Sequence, residues 1–323
     1  MTDELSVNKL AWRLTQELVE NSALHGVKAE RTTQGTMLID AGIRAQGGFK
    51  AGQLITEICM GGLGKARISS RKYDGSPLQS IFVWTDHPAI ATLGCQLAGW
   101  RLKEGSYSAI GSGPARALAL KPAAVYEEIK YKDTSDRAVV VLETEKIPPS
   151  KLIDQIAQAC KIGTDQLAVI LTPTTSIAGT VQVAGRIVES GLFKLWQLGL
   201  DPKIVKYAWG CAPIPPVNPE FTEAMGRTND AILYGGTSCY LVESDDDIRL
   251  KELVEKAPSS ASKAYGRSFK EIFKEARYDF YKIDRGLFAP AQVIIANIRT
   301  GNTFENGEIN VQLLKESFDL SDP

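Results

Sequence analysis

Ala138-Val-Val-Val-Leu-Glu143, Ser150-Lys-Leu-Ile-Asp-Gln-Ile-Ala-Gln-Ala-Cys160 and Leu167-Ala-Val-Ile-Leu171 are the stretches whose reading decides the fold. The outer two are short continuous apolar runs, the pattern of strands buried on both faces, and the middle one reads as a helix. A strand, a helix and a strand in succession predict an α/β layer arrangement. Toward the N-terminus, Leu10, Leu14, Leu18 and Leu24 recur at helical spacing and Gly26 stands past the end. Residues 36–40, 54–60 and 81–84 read as apolar strands between glycine-rich turns. Ala89 to Trp100 reads as a helix, with Thr85 or Asp86 to cap it and Pro88 in its first turn. Toward the C-terminus, 231–234, 238–242 and 292–298 read as strands, and 248–256 and 268–276 as helices. The expectation is an α/β (α+β) chain of two domains, residues 1–150 and 151–323.

Length supports two domains, since 323 residues exceed what one small core organises. Hydrophobic residues at 44% and charged residues at 23% are globular values. A net charge of −1, from 37 basic and 38 acidic side chains, supplies no field for a phosphate backbone, so no nucleic acid is expected as a partner. Asp3, Glu4, Lys9, Arg13, Glu17 and Glu20 interrupt any leader or spanning segment at the start, so a cytoplasmic protein with no membrane partner is expected. The five cysteines lack C-x-x-C spacing and the two histidines, His25 and His87, lie far apart, which predicts no metal site.

Two glycine-rich segments could bring backbone N–H groups to a ligand: Met60-Gly-Gly-Leu-Gly64 and Gly111-Ser-Gly-Pro-Ala-Arg116. The second offers more, because Ser112 and Gly113 precede a helix-compatible run and Arg116 adds a planar cation for an anion. It lacks the Walker lysine and the full G-x-G-x-x-G spacing, so a plain turn remains the competing reading. Met225-Gly-Arg-Thr-Asn-Asp230 places Arg227, Asn229 and Asp230 at the mouth of the expected 231–234 strand, where they suit a heterocycle edge or a hydrogen-bonded turn.

Thr174 to Leu198 reads as one helix opened by Pro173. Ile177, Val181, Ala184, Val188, Leu192 and Leu195 form an apolar stripe, while Gln182, Arg186 and Glu189 cluster on the far side between apolar flanks. An Arg and a Glu three positions apart are ordinarily a weak surface pair. Here the helix has no other ionisable residue until Lys194, so the pair fits a lined cavity as well as a surface. In a cavity Glu189 would serve as a general base, with Arg186 setting its charge.

Val-Gln-Val-Ala-Gly-Arg-Ile-Val-Glu (181–189), Gly-Ser-Gly-Pro-Ala-Arg-Ala-Leu-Ala-Leu-Lys-Pro (111–122), Thr-Asp-His-Pro-Ala-Ile-Ala (85–91) and Tyr-Asp-Phe-Tyr-Lys-Ile-Asp (278–284) resemble the methenyltetrahydromethanopterin cyclohydrolases. So do Cys-Met-Gly-Gly-Leu (59–63), Thr-Asn-Asp (228–230) and Leu-Phe-Ala-Pro-Ala (287–291), and the likeness is collinear from Ser6 to Phe318. The resemblance implies a cytoplasmic homotrimer of two-domain subunits with the pterin in an interdomain pocket. The implied enzyme interconverts methenyl- and formyl-tetrahydromethanopterin, without metal or redox cofactor, in methanogenic archaea or in formaldehyde-oxidising bacteria. By the same resemblance Arg186 and Glu189 are catalytic, and Gln96, Leu97 and Ala98 form a short active-site segment. Ser112, Gly113, Arg116, Arg227, Asn229 and Asp230 are then candidates for the pterin or its anionic tail. Members of the family carry Lys where this chain has Leu97, so only Gln96 and backbone contacts carry over there.

Overall fold

A computed structural model describes residues 5–279 and 282–320. Phe280 and Tyr281, within the 278–284 block, lie outside the described residues. The chain forms two compact units, Met1–Lys65 with Ala89–Gln182, and Ala66–Pro88 with Val183–Pro323.

In the first unit the helices are α1 (Val7–Glu20), α2 (Ser22–His25) and α3 (Phe49–Cys59), and the first strands are β1 (Lys28–Arg31) and β2 (Met37–Asp40). Strands β3 (Gly64–Tyr73) and β4 (Ser76–Thr85) follow in the chain, and all of β4 and most of β3 belong to the second unit. A π-helix (Ala89–Gln96), β5 (Trp100–Glu104), β6 (Tyr107–Ser112), α4 (Ala115–Ala119), α5 (Ala123–Ile129), β7 (Ala138–Glu143), α6 (Ser150–Cys160), β8 (Leu167–Leu171) and α7 (Ile177–Ala184) complete the first unit. Its sheet runs β1-β2-β8-β7-β6-β5, with β2, β8 and β7 parallel and the remaining pairs antiparallel.

The period-2 rule assigns the two cores. Ala138, Val140 and Leu142 pack with Leu152, Ile153 and Ile156 of α6, whereas Val139 and Val141 pack with Ala11 of α1 and Ile55 and Ile58 of α3. Burying each such Val, Leu or Ile stabilises by roughly 1.5–3 kcal/mol relative to exposure.

The second unit adds α8 (Ile187–Gln197), β9 (Val205–Pro213), α9 (Phe221–Gly235), β10 (Thr237–Val242), α10 (Asp247–Lys256), α11 (Phe269–Glu275), β11 (Gln292–Asn297), β12 (Thr303–Gly307) and α12 (Val311–Ser317). Its sheet runs β12-β11-β10-β9-β4-β3, with β10 and β11 parallel and the β12–β11, β10–β9 and β9–β4 pairs antiparallel. Both sheets are mixed, so the α/β class holds. The division, however, is not one cut near residue 150. Ser80 to Thr85 of β4 pair with residues 208–213 of β9, which draws an early hairpin into the later unit, and the last passage between units falls inside α7.

Four expected elements change. Residues 54–59 are helical, within α3, and Met60 caps it, because a largely apolar run serves a helix buried nearly all round as well as a strand. Residues 231–234 end α9 for the same reason, and the side chains of Thr228 and Asn229 bond back to the carbonyls of Ala224 and Met225 along it. The helix expected over 89–100 is a π-helix that stops at Gln96, since Trp100 already pairs with Gly111. The helix expected over 174–198 is two helices, interrupted at Gly185 and Arg186.

Candidate functional site

Arg186 and Glu189 are placed by that interruption. Arg186 leaves helical geometry at φ −82°, ψ 7°, its N–H bonds to the Val183 carbonyl at 3.0 Å, and α8 restarts at Ile187. Arg186 therefore occupies the N-cap position and Glu189 the first turn, where the unpaired N–H groups and the helix dipole favour a carboxylate. The two residues are 8% and 6% exposed, which sets them apart from an ordinary surface pair worth under about 1 kcal/mol.

The turn that carries them is fixed from below by β10. The Tyr240 hydroxyl, fully buried, donates to the Val188 carbonyl at 2.8 Å. A Cβ on Gly191 would land on that hydroxyl and come within 2.7 Å of Ser238 Oγ, so the approach of helix to strand needs glycine. On β9, a Cβ at Gly210 would stand 2.9 Å from Ile187 Cγ2. Burial pushes the Tyr240 phenol up, the Ser238 hydroxyl opposes this, and nearby Glu189 adds to it. Farther along α8, the buried Lys194 donates to the Gly286 carbonyl at 2.8 Å; burial lowers its pKa and the charge of Asp284 works against that. Tyr240, Ser238 and Gly191 carry no sequence signal of this role, because a strand hydroxyl under a helix is a tertiary match.

The first unit brings the glycine-rich loop and the 96–98 segment together. Leu97 N–H bonds to the Thr92 carbonyl at 2.8 Å, the five-residue step of a π-helix, and leaves Gln96 buried with Leu97 and Ala98 half-buried. Gly113, at φ 94°, donates its N–H to the Cys95 carbonyl at 2.8 Å. Ser112 Oγ lies 3.4 Å from the Val141 carbonyl and 3.8 Å from Cys59 Sγ. Arg116 is 0% exposed, and its guanidinium donates to the carbonyls of Leu93, Gly94, Cys95 and Lys121. In place of the cation extended toward an anion that the loop suggested, Arg116 is sunk among backbone carbonyls.

On α9, Arg227 pairs with Asp319 and Asn229 Nδ2 donates to the Met225 carbonyl at 2.9 Å. Asp230 accepts from Phe269 N–H at 2.9 Å and from the Ser317 hydroxyl at 2.8 Å, tying α9 to α11 and α12. Burial pushes the Asp230 carboxyl up to about 7 against these two bonds. The three residues lie along a buried helix and not at a strand mouth, because 231–234 is not a strand. Thr85 caps a turn by accepting the His87 N–H at 3.0 Å. Among the described residues no three His, Cys, Asp or Glu side chains cluster as metal ligands, and no helix is long and apolar enough to cross a membrane.

The profile of a family described as Cyclohydrolase (MCH) matches residues 6–318. The chain is similar to the methenyltetrahydromethanopterin cyclohydrolase of Methanothermobacter marburgensis, with 45% identity over 322 residues covering 98% of this chain and 100% of that one. Similarity to the proteins of the same name from Methanospirillum hungatei and Methanocaldococcus jannaschii is at 44% and 43% identity, over 97% of this chain and 99% and 98% of theirs.

Proposed function

The chain belongs to the cyclohydrolase (MCH) family, and on that premise we propose that it hydrolyses N5,N10-methenyl-tetrahydromethanopterin reversibly to the N5-formyl form. The methenyl carbon lies between two nitrogens in a cationic bridge, so it is electrophilic already and needs chiefly a positioned, partly deprotonated water. Glu189 takes the water proton, and its negative charge favours the cationic substrate. Arg186 keeps Glu189 ionised and orients the water or the developing formyl oxygen. Protons balance: Glu189 takes one from water and later releases it to solvent, while the hydroxyl's own proton passes to N10 and its oxygen becomes the formyl oxygen as the bond from the methenyl carbon to N10 breaks.

The observation that carries this reading is the pair of buried, oppositely charged side chains at the broken head of α8 in a chain of this family. Gln96 is proposed as a substrate-binding residue, and no metal or redox cofactor takes part. A cytoplasmic location is part of the proposal, supported by five buried cysteines that form no disulfide, which suit a reducing compartment. So is a homotrimer, supported by Trp84, Tyr207 and Trp209, which are 44%, 47% and 41% exposed beside one another on β4 and β9.

The test follows the loss of the methenyl near-ultraviolet band, with tetrahydromethanopterin and with tetrahydrofolate carriers. Glu189→Gln should slow the reaction by roughly 10²- to 10⁴-fold, the usual worth of a general base. A folded Glu189→Gln protein working at the wild-type rate would overturn the mechanism, and preference for the folate carrier would overturn the substrate.

A further inference from the structure

We infer that Arg116 is a positioning residue, whose guanidinium holds the carbonyls that end the π-helix and thereby sets the place of Gln96, Leu97 and Ala98. The inference rests on the proposed activity, in that 96–98 is taken as part of the site.

A wholly buried arginine is normally paired with a carboxylate, because desolvating a lone cation is costly. Among the described residues no carboxylate pairs with Arg116. Its charge is met by backbone instead: Nη1 reaches the carbonyls of Leu93, Gly94 and Cys95 at 3.0, 3.3 and 3.2 Å, and Nε reaches that of Lys121 at 2.8 Å. Three successive carbonyls at a helix C-terminus carry the negative end of its dipole, which suits a cation. The planar fork matters because an ammonium could not engage both groups of carbonyls from one position.

The surroundings fit a clamp on this one turn. The Tyr126 hydroxyl donates to the Gly94 carbonyl at 2.6 Å, and the Gly113 N–H donates to that of Cys95. Gly99, just past the segment, lies so close that a Cβ there would stand 2.9 Å from Arg116 Nη2. The turn entering 96–98 is thus bonded to the guanidinium, and the backbone leaving it passes close beside the same group. A π-helix is intrinsically less favourable than an α-helix and recurs at functional sites. Arg116, with Tyr126 and Gly113, satisfies the carbonyls this wide turn leaves out of the α pattern.

Arg116→Lys and Tyr126→Phe, assayed for KM and kcat separately alongside urea unfolding, test the idea, with Glu189→Gln as reference. With rates corrected for the folded fraction, Arg116→Lys should raise KM for the methenyl carrier roughly tenfold, and Tyr126→Phe roughly threefold, with kcat nearly unchanged. A brace of the fold alone would lower the urea midpoint and leave KM at the wild-type value; that result, in either variant that folds, overturns the inference. If Arg116→Lys fails to fold, Tyr126→Phe decides. If instead the wild-type protein does not consume the methenyl carrier, or Glu189→Gln matches it, the functional reading fails on its own account.

Discussion

Replacing Asp230 by Asn should change how stability depends on pH. The carboxyl lies 1% exposed between α9, α11 and α12, and burial raises it from 3.8 to about 7 despite the Phe269 N–H and Ser317 hydroxyl bonds, with the charge of Glu271 adding to the rise. The folded state therefore binds a proton that the unfolded chain has released, so the stability this supplies is fully present below about 3.8 and is lost as pH rises through about 7. At about 1.4 kcal/mol per tenfold change in proton affinity, the whole effect is of order 4 kcal/mol, with about 2–3 kcal/mol of it falling between about pH 5 and 7. Asn keeps the shape: its oxygen can accept from Phe269 N–H and its amide can donate to the Ser317 oxygen. Urea unfolding of both proteins, followed by tryptophan fluorescence across that window, measures the difference directly. Wild type should lose about 2–3 kcal/mol relative to Asp230→Asn and then run parallel to it above about pH 8. A difference that stays flat within about 0.5 kcal/mol across the window would refute a buried, proton-holding Asp230.

Gly191→Ala should destabilise by about 1–3 kcal/mol or more, since its methyl must displace the hydroxyls of Tyr240 and Ser238, and it should cost activity although Arg186 and Glu189 are untouched. Tyr240→Phe removes one bond to the Val188 carbonyl and should cost only about 1 kcal/mol by thermal or urea unfolding. Activity should survive prolonged treatment with a metal chelator; its abolition, restored by added metal, would contradict the metal-free mechanism. Trp84→Glu with Trp209→Glu, two residues directly opposite across β4 and β9, should shift the sedimentation coefficient from trimer toward monomer.

How much of this was legible in the sequence depended on whether a residue's partners were local. Strand β7, helix α6 and strand β8 were readable with their bounds, because each is a short segment of one clear character and the apolar runs are too short for helices. Helices α3 and α9 were misread in part, since the largely apolar runs Leu54 to Cys59 and Ala231 to Tyr234 are buried on every side and carry no period to distinguish helix from strand. The pairing of β4 with β9 joins residues more than a hundred positions apart, and no local pattern announces it. The break at Gly185 was hidden because a single glycine is tolerated inside a helix at a cost of only about 1 kcal/mol.

The site shows the same division with more at stake. Arg186 and Glu189 were visible as the only charges on a long apolar stretch, an anomaly that needs no partner to be noticed. Arg116 and Asp230 were equally visible as charged residues in glycine-containing segments, yet their principal protein partners are backbone atoms of Leu93, Gly94, Cys95, Lys121 and Phe269, along with the Ser317 hydroxyl. Backbone groups exist at every position, so bonding to them leaves no complementary residue type to find. A charged side chain that serves the backbone and one that serves a ligand therefore look alike in sequence, and the contacts made in the fold tell them apart. Arg116 falls on the backbone side of that line. Its effect on chemistry must pass through the turn it holds, and hence should appear in KM before kcat.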